Sequence, residues 1–153
     1  LWNMNRLGIK ANMPDILASL LSKQIKNVYK NLKLREKAYN YYNKLLVGSD
    51  IIIPKINKKC KSAYHLYAIH VKPKIRNNVL SYLNKFNIGA TINYSSVTNL
   101  NYYKKKYKLK NSDYPISLKW GNGTISLPFY PNIKKTDQKY VIRKLIEAKK
   151  KYE

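Results

Sequence analysis

Between Ser62 and Tyr94 the hydrophobic period of the sequence changes twice, and this constrains the fold more than any other feature. Ser62 to Val71 alternates, is rich in β-branched and aromatic residues and stops before Lys72-Pro73, which predicts a strand. Ile75, Val79, Tyr82, Leu83 and Phe86 then recur at helical spacing until Asn87 to Gly89 ends the run, and Ala90 to Tyr94 returns to a strand pattern. Strand, helix and strand within so few residues form half of a split β-α-β arrangement, so the two strands are expected in one sheet.

The flanks add helices. Pro14 and Asp15 suit a first helical turn, and Ile16, Leu17, Leu20, Leu21, Ile25, Val28, Tyr29 and Leu32 form a broad apolar stripe behind them. Tyr39, Tyr42, Leu45 and Leu46 follow on or continue that helix as far as Gly48, a C-cap by type, and residues 49 to 62 read as a loop. Asn101 to Lys110 is a lysine and tyrosine run. Tyr114-Pro115 opens a polar stretch through Gly121-Asn122-Gly123 that fits either a weak helix or a hairpin turn. Thr124 to Leu127 predicts a strand before Pro128. Thr136-Asp137 then predicts the cap of a final helix carrying Val141, Ile142, Leu145 and Ile146, with Lys149 to Lys151 at its negative pole. No repeat or Gly/Ser linker divides the chain. The expected class is α+β, with a leading helix followed by one small domain.

Charge sets the outer limits. Thirty-one Lys and Arg against seven Asp and Glu give +24 on 153 residues, and such a surface raises the question of a nucleic-acid partner. Lys, Asn, Ile and Tyr make up about half of the chain, however, and these are residues of A/T-rich codons, so much of the excess reads as solvated lysine. Tyr102, Tyr103 and Tyr107 among lysines are the residues that a base-stacking, ribosomal-type reading would use. The apolar share of 44% suffices for a core, and no apolar run approaches the roughly 18 residues that cross a bilayer. A single cysteine, Cys60, excludes an internal disulfide and fits a reducing cytoplasm. The opening at Leu1 instead of Met reads as the tail of something longer, with no signal or transit segment expected.

Residue chemistry alone offers no self-contained enzyme. There is no Walker loop, no dinucleotide glycine fingerprint and no paired histidine with metal spacing. His65 and His70, five apart on a predicted strand, point to opposite faces. The seven acids are scattered, with no pair for acid–base work.

Four motifs in order nevertheless carry a resemblance. Leu7-Gly8-Ile9-Lys10-Ala11-Asn12-Met13-Pro14-Asp15-Ile16 resembles "LGYKYNMSDIQAA", and Ser62 to Val71 resembles "WHLFVIRV". Phe86-Asn87-Ile88-Gly89-Ala90-Thr91-Ile92-Asn93-Tyr94 is similar to "KGIGTGIHY". Tyr114-Pro115 with Ser126-Leu127-Pro128-Phe129-Tyr130-Pro131 is similar to "FP…LSLPLYP", ahead of a terminal helix like "TEEQQDYVIEAI". These segments belong to the DegT/DnrJ/EryC1/StrS family of pyridoxal-phosphate sugar aminotransferases, and the likeness runs over roughly residues 7 to 150.

The resemblance implies the C-terminal part of a fold-type I transferase. Residues 1–48 would be the inter-domain helix and a dimer-facing loop, and 49–153 the small C-terminal domain. The large domain, with its Schiff-base lysine in "SFHATK" and its glycine-rich "GEGG", has no counterpart here. The family reaction passes an amino group from glutamate to a keto sugar nucleotide, which implies pyridoxal 5'-phosphate in the parent enzyme and an inactive chain when alone. Implied partners are a second copy or the missing large domain. Lys10 and Asn12 would reach a neighbour's cofactor phosphate, with Asn12 also placed to cap the helix near Pro14. Asn93, standing where the family has the "IHY" histidine, and Tyr94 would face the sugar nucleotide. His65 aligns with a family histidine and is expected to pack. Gly121 and Gly123 fall where the family has helix, which reads as relaxed constraint.

Overall fold

The computed structural model describes residues 12–153. Six α-helices and two strands follow in the order α1 (Asp15–Ile25), α2 (Val28–Leu45), β1 (Tyr67–His70), α3 (Pro73–Lys85), α4 (Asn101–Lys106), α5 (Pro115–Gly123), β2 (Thr124–Leu127) and α6 (Lys135–Tyr152).

The sheet is small and antiparallel. Tyr67 pairs with Leu127, Ala68 with Ser126, Ile69 with Ile125 and His70 with Thr124. Single bridges extend it on both sides, Ile52 to His70 and Thr91 to Ser126. Only the second half of the predicted Ser62–Val71 strand is therefore a strand, and Ala90–Tyr94 contributes one bridge where a full strand was expected. The two segments do share a sheet, with β2 inserted between them. Thr91 and Ser126 exchange both backbone hydrogen bonds, at 3.1 and 2.8 Å, before the chain turns away.

Alternation divides the sheet into two faces. Tyr67, Ile69, Ile125 and Leu127 form one face and are buried against Ile75, Val79 and Leu83 of α3 and Val141, Ile142, Leu145 and Ala148 of α6. Pro73 at the first helical position starts α3, as its fixed φ permits. Tyr42 of α2 closes this core. Its ring stacks on Tyr67 at 4.6 Å, and its hydroxyl donates to the Pro128 carbonyl at 3.0 Å. Gln138 of α6 is also buried and donates to the Ala38 carbonyl at 2.9 Å, tying α6 to α2. Ala68, His70, Thr124 and Ser126 form the other face.

The leading stripe is interrupted. α1 ends at Ile25 and α2 begins at Val28, with Asn27 at φ −103° and ψ 3° breaking the ladder. α1 buries no residue, and Ile16, Leu17, Leu20 and Ile25 are each more than half exposed. Gly48 carries φ +79° in the turn that terminates α2, as its type predicts. Asn12 does not cap α1: the N-cap position is Pro14, without a side-chain hydrogen bond. Nor does Thr136-Asp137 cap α6, which starts one residue earlier with Lys134 at the N-cap; the Thr136 hydroxyl bonds the Asp137 carboxylate instead.

Candidate functional site

The second face of the sheet is covered by chain from 93–98 and by α5, and a cleft of about 360 Å³ opens between them. Ala68 and Thr124 of the strands, Asn93, Tyr94, Ser96, Ser117 and Trp120 line it. The segment resolves as helix because Pro115 supplies an N1 residue and the following turns pack Gly121 and Gly123 inward. Those two glycines are demanded by close approach. A methyl on Gly121 would overlap the Ser96 amide nitrogen and lie 3.1 Å from the Ser95 carbonyl carbon. A methyl on Gly123 would overlap His70 Nε2 and lie 2.5 Å from the Val71 carbonyl oxygen. The expectation of relaxed constraint at these positions is thus overturned, since close packing against the Ser96 backbone and the His70 ring leaves no room for a side chain.

Hydroxyl groups brace the wall. Ser96 Oγ lies 2.8 Å from Thr98 Oγ1 and 2.9 Å from Ser117 Oγ, with Ser96 and Thr98 both buried. This network pins the 96–98 turn to α5, which fixes where Asn93 and Tyr94 emerge. Beneath them, His70 is buried with Nε2 3.0 Å from the Lys119 carbonyl, and its ring meets Trp120 edge-on at 4.8 Å. A backbone carbonyl can only accept, so Nε2 carries the proton. His70 is a brace for α5.

Asn93 is half-buried, with Oδ1 3.5 Å from Thr91 Oγ1, and Tyr94 is 75% exposed. The structure brings these two predicted residues to one cleft. Lys10 lies outside the described residues, and Asn12 is exposed and apart from the cleft lining. His65 is exposed ahead of β1, which overturns its expected packing role. Ser96, Thr98, Ser117 and Trp120 were not foreseen. Serines and threonines scattered through polar loops carry no period, and Pro115 was the one local signal that could have placed α5.

The lining contains hydroxyl, amide, phenol and indole groups, and no acid, lysine, histidine or cysteine. Such a surface can hold a polar ring by hydrogen bonds and stacking, and the Tyr94 phenol is its one lining group of a type used in general acid–base catalysis. Among the described residues no cluster of three or more His, Cys, Asp or Glu could hold a metal.

A small antiparallel sheet with α3 and α6 packed on one face and a cleft on the other defines an α+β arrangement. The chain belongs to the DegT/DnrJ/EryC1/StrS aminotransferase family, whose model matches residues 1–146. It is 30% identical over 141 residues to the spore coat polysaccharide biosynthesis protein SpsC of Bacillus subtilis, covering 88% of this chain and 36% of SpsC. It is 29% identical to the UDP-4-amino-4-deoxy-L-arabinose–oxoglutarate aminotransferase of Shewanella sediminis, covering 92% and 39%. Spr1654 of Streptococcus pneumoniae, solved in its PLP-form, shares the fold with a TM-score of 0.88 at 24% identity, covering 99% of this chain and 39% of that one. The chain therefore spans about 35–39% of the length of the curated relatives it matches. This match also displaces the ribosomal-type reading of the lysine and tyrosine run.

Pyridoxal phosphate needs a lysine amine that is readily uncharged, and an acid at the pyridine nitrogen. The cleft lining does not fit those roles. Lys144 is held above the usual ammonium range by its bond to Glu147, and Lys149 by its bonds to Asp50 and then Glu153. These shifts run opposite to an activated amine, neither lysine lines the cleft, and no acid lines it either. Neither the aldimine-forming amine nor the acid at the ring nitrogen is therefore assigned to the cleft lining.

Proposed function

We propose that this chain is the C-terminal small-domain part of a pyridoxal-phosphate-dependent aminotransferase acting on keto sugar nucleotides in amino-sugar and surface-polysaccharide biosynthesis, and that it is inactive alone. The observation that carries this reading is the family match over nearly the whole chain, combined with coverage of little more than a third of each relative. Residues 1–48 would form the inter-domain helix and a loop facing a neighbouring subunit, where Lys10 as a point charge and Asn12 as an amide donor hold the cofactor phosphate. Residues 49–153 would form the small domain, with Asn93 bonding sugar hydroxyls and the Tyr94 ring packing on the nucleotide sugar at the cleft mouth. Proton transfer and the Schiff-base lysine belong to the large domain, and the cofactor supplies the electron sink when bound there.

The exposed stripe of α1 supports this assignment, because a face of that size is ordinarily covered by a large domain or a second copy. No helix among the described residues is long and apolar enough to cross a membrane, which accords with a cytoplasmic enzyme handling nucleotide sugars.

The test is complementation. A polypeptide carrying the large domain with its "SFHATK" segment is expected to aminate a keto sugar nucleotide from glutamate only when this chain is added. In that mixture Asn93→Ala should raise KM for the sugar nucleotide. A 153-residue chain that alone forms an absorbing, lysine-dependent pyridoxal phosphate complex overturns the reading, as does a large domain equally active without it.

A further inference from the structure

On the side of the molecule formed by the end of α3, the turn after β2 and the first turns of α6 lies a second cleft, of about 380 Å³. Its floor is apolar: Ile88 and Val141 are buried, and Pro128 completes it. Tyr130 and Tyr140, 49% and 37% exposed, form the rim, and Asn87 and Asp137 supply its polar groups.

We propose that this cleft binds a monosaccharide-sized ligand bearing a protonated amine. The electrostatics select the charge. The chain has 31 basic residues, yet none lines this cleft, and its one ionisable carboxylate is Asp137. Among the described residues Asp137 makes no ion pair, and its side-chain partner is the neutral hydroxyl of Thr136 at 3.2 Å. Its charge is felt in the interior as well, where it adds to burial and Tyr130 in holding the Tyr42 phenol well above the usual range. An anionic ligand would meet only this carboxylate, whereas an ammonium would complete it.

The walls select the shape. The Tyr140 hydroxyl donates to the Phe86 carbonyl at 3.3 Å, which fixes that ring as a wall, and the Arg143 guanidinium sits 5.4 Å from its centroid. Arg143 has its own carboxylate in Glu147, at 3.9 Å. The Tyr130 ring offers an aromatic surface to the C–H face of a pyranose and to a nearby cation. Asn87, held at φ 58° in the turn after α3, adds an amide donor and acceptor for hydroxyls. The volume lies within the range of small-molecule sites. This site has the opposite charge preference from a nucleotide-sugar cleft and does not rest on the aminotransferase reading.

The test is an amide NMR titration of the 153-residue chain at about pH 6.5 with glucosamine, glucose and glucose 6-phosphate. Glucosamine is expected to give saturable shifts at Asn87, Gly89, Asp137 and Tyr140, and glucose to bind about fivefold more weakly, as loss of an exposed ion pair implies. Glucose 6-phosphate should not bind there. Asp137→Asn should bring glucosamine down to the level of glucose with an unchanged melt, and Tyr130→Ala should weaken both sugars. Equal binding of glucosamine and glucose, tightest binding of the phosphate, shifts confined to other residues, or no saturation would each overturn the proposal.

Discussion

Gly123 lies directly against the His70 imidazole, so close that a methyl at its Cα would occupy the space of Nε2. The contact joins the end of α5 to the last residue of β1, where the His70 amide and carbonyl already pair with Ile52. Because that same Nε2 is held by the Lys119 carbonyl, the ring cannot swing away from an added methyl without losing that bond. Gly123→Ala is therefore expected to destabilise the domain by about 1–3 kcal/mol, the usual cost of overpacking. Gly48→Ala provides the comparison. Nothing lies within 4 Å of its added carbon, but its φ of +79° penalises a side chain, and about 1 kcal/mol is expected. Urea unfolding of the two variants measures both.

These glycines also show what could be read from the sequence and what could not. The elements with strong periods, α3, β2 and α6, fall where the pattern of Ile75, Val79 and Leu83 or of Val141, Ile142 and Leu145 puts them. The alternation across Ser62–Leu66 misled, since alternation reports which residues can face a core and not whether a partner strand reaches them. β2 has only four residues, so only Tyr67–His70 found partners. α5 was ambiguous because Gly121 and Gly123 are weak helix formers, and the contacts that demand them come from Ser96 and His70, distant in sequence. In the cleft, Asn93 and Tyr94 were legible through a family motif, whereas the Ser96, Thr98 and Ser117 hydroxyl network was not, because tertiary contact alone assembles it.

Ser96 allows that network to be tested. Ser96→Ala removes the hydroxyl shared by Thr98 and Ser117 and leaves the buried Thr98 without this partner, whereas the exposed Ser117 can turn to water. A loss of about 1–3 kcal/mol is expected from an orphaned buried polar group. In the complemented enzyme the same variant should raise KM for the sugar nucleotide, because the turn that carries Asn93 and Tyr94 is no longer pinned.

Tyr42 joins α2 to the core by a ring stack and one hydrogen bond. Tyr42→Phe keeps the stack on Tyr67 and loses the bond to the Pro128 carbonyl, for an expected cost of about 1 kcal/mol near neutral pH. Burial, followed by Tyr130 and Asp137, holds the Tyr42 phenol above its unfolded value near 10. A raised folded value means that stability is fully present below about pH 10 and lost above it, as the unfolded chain ionises first. The variant should therefore show a shallower alkaline loss, measured by urea midpoints at about pH 8 and about pH 11.

α1 buries nothing, so its apolar residues can be changed without touching the core. Leu17→Glu combined with Leu20→Glu should leave the thermal midpoint within about 2 °C of the parent, since exposed substitutions rarely exceed about 0.5 kcal/mol. If this stripe is where a large domain or a second copy docks, the same pair should abolish complementation, and sedimentation should show a shift to monomer wherever the parent self-associates. A large drop in midpoint would mean that the stripe packs on its own domain.

The acid limb of stability should trace to Lys149, whose side chain is only 14% exposed and bridges Asp50 and Glu153, while Lys72 holds Glu153 from the other side at 3.0 Å. Both carboxyls are held below their ordinary values, chiefly by the Lys149 bond. A depressed folded value contributes stability that is present above the unfolded pKa and lost as pH falls through the folded one, so the loss begins below about pH 4.5. Lys149 itself is raised, so its share is intact below about pH 10 and lost above. The cluster thus stabilises most between these limits. Lys149→Met keeps the packing of the stem and removes the charge. Its thermal midpoint should fall furthest below the parent's near about pH 7, and the gap should close toward about pH 3 as the two carboxyls protonate. A gap independent of pH would assign the effect of Lys149 to its packing alone.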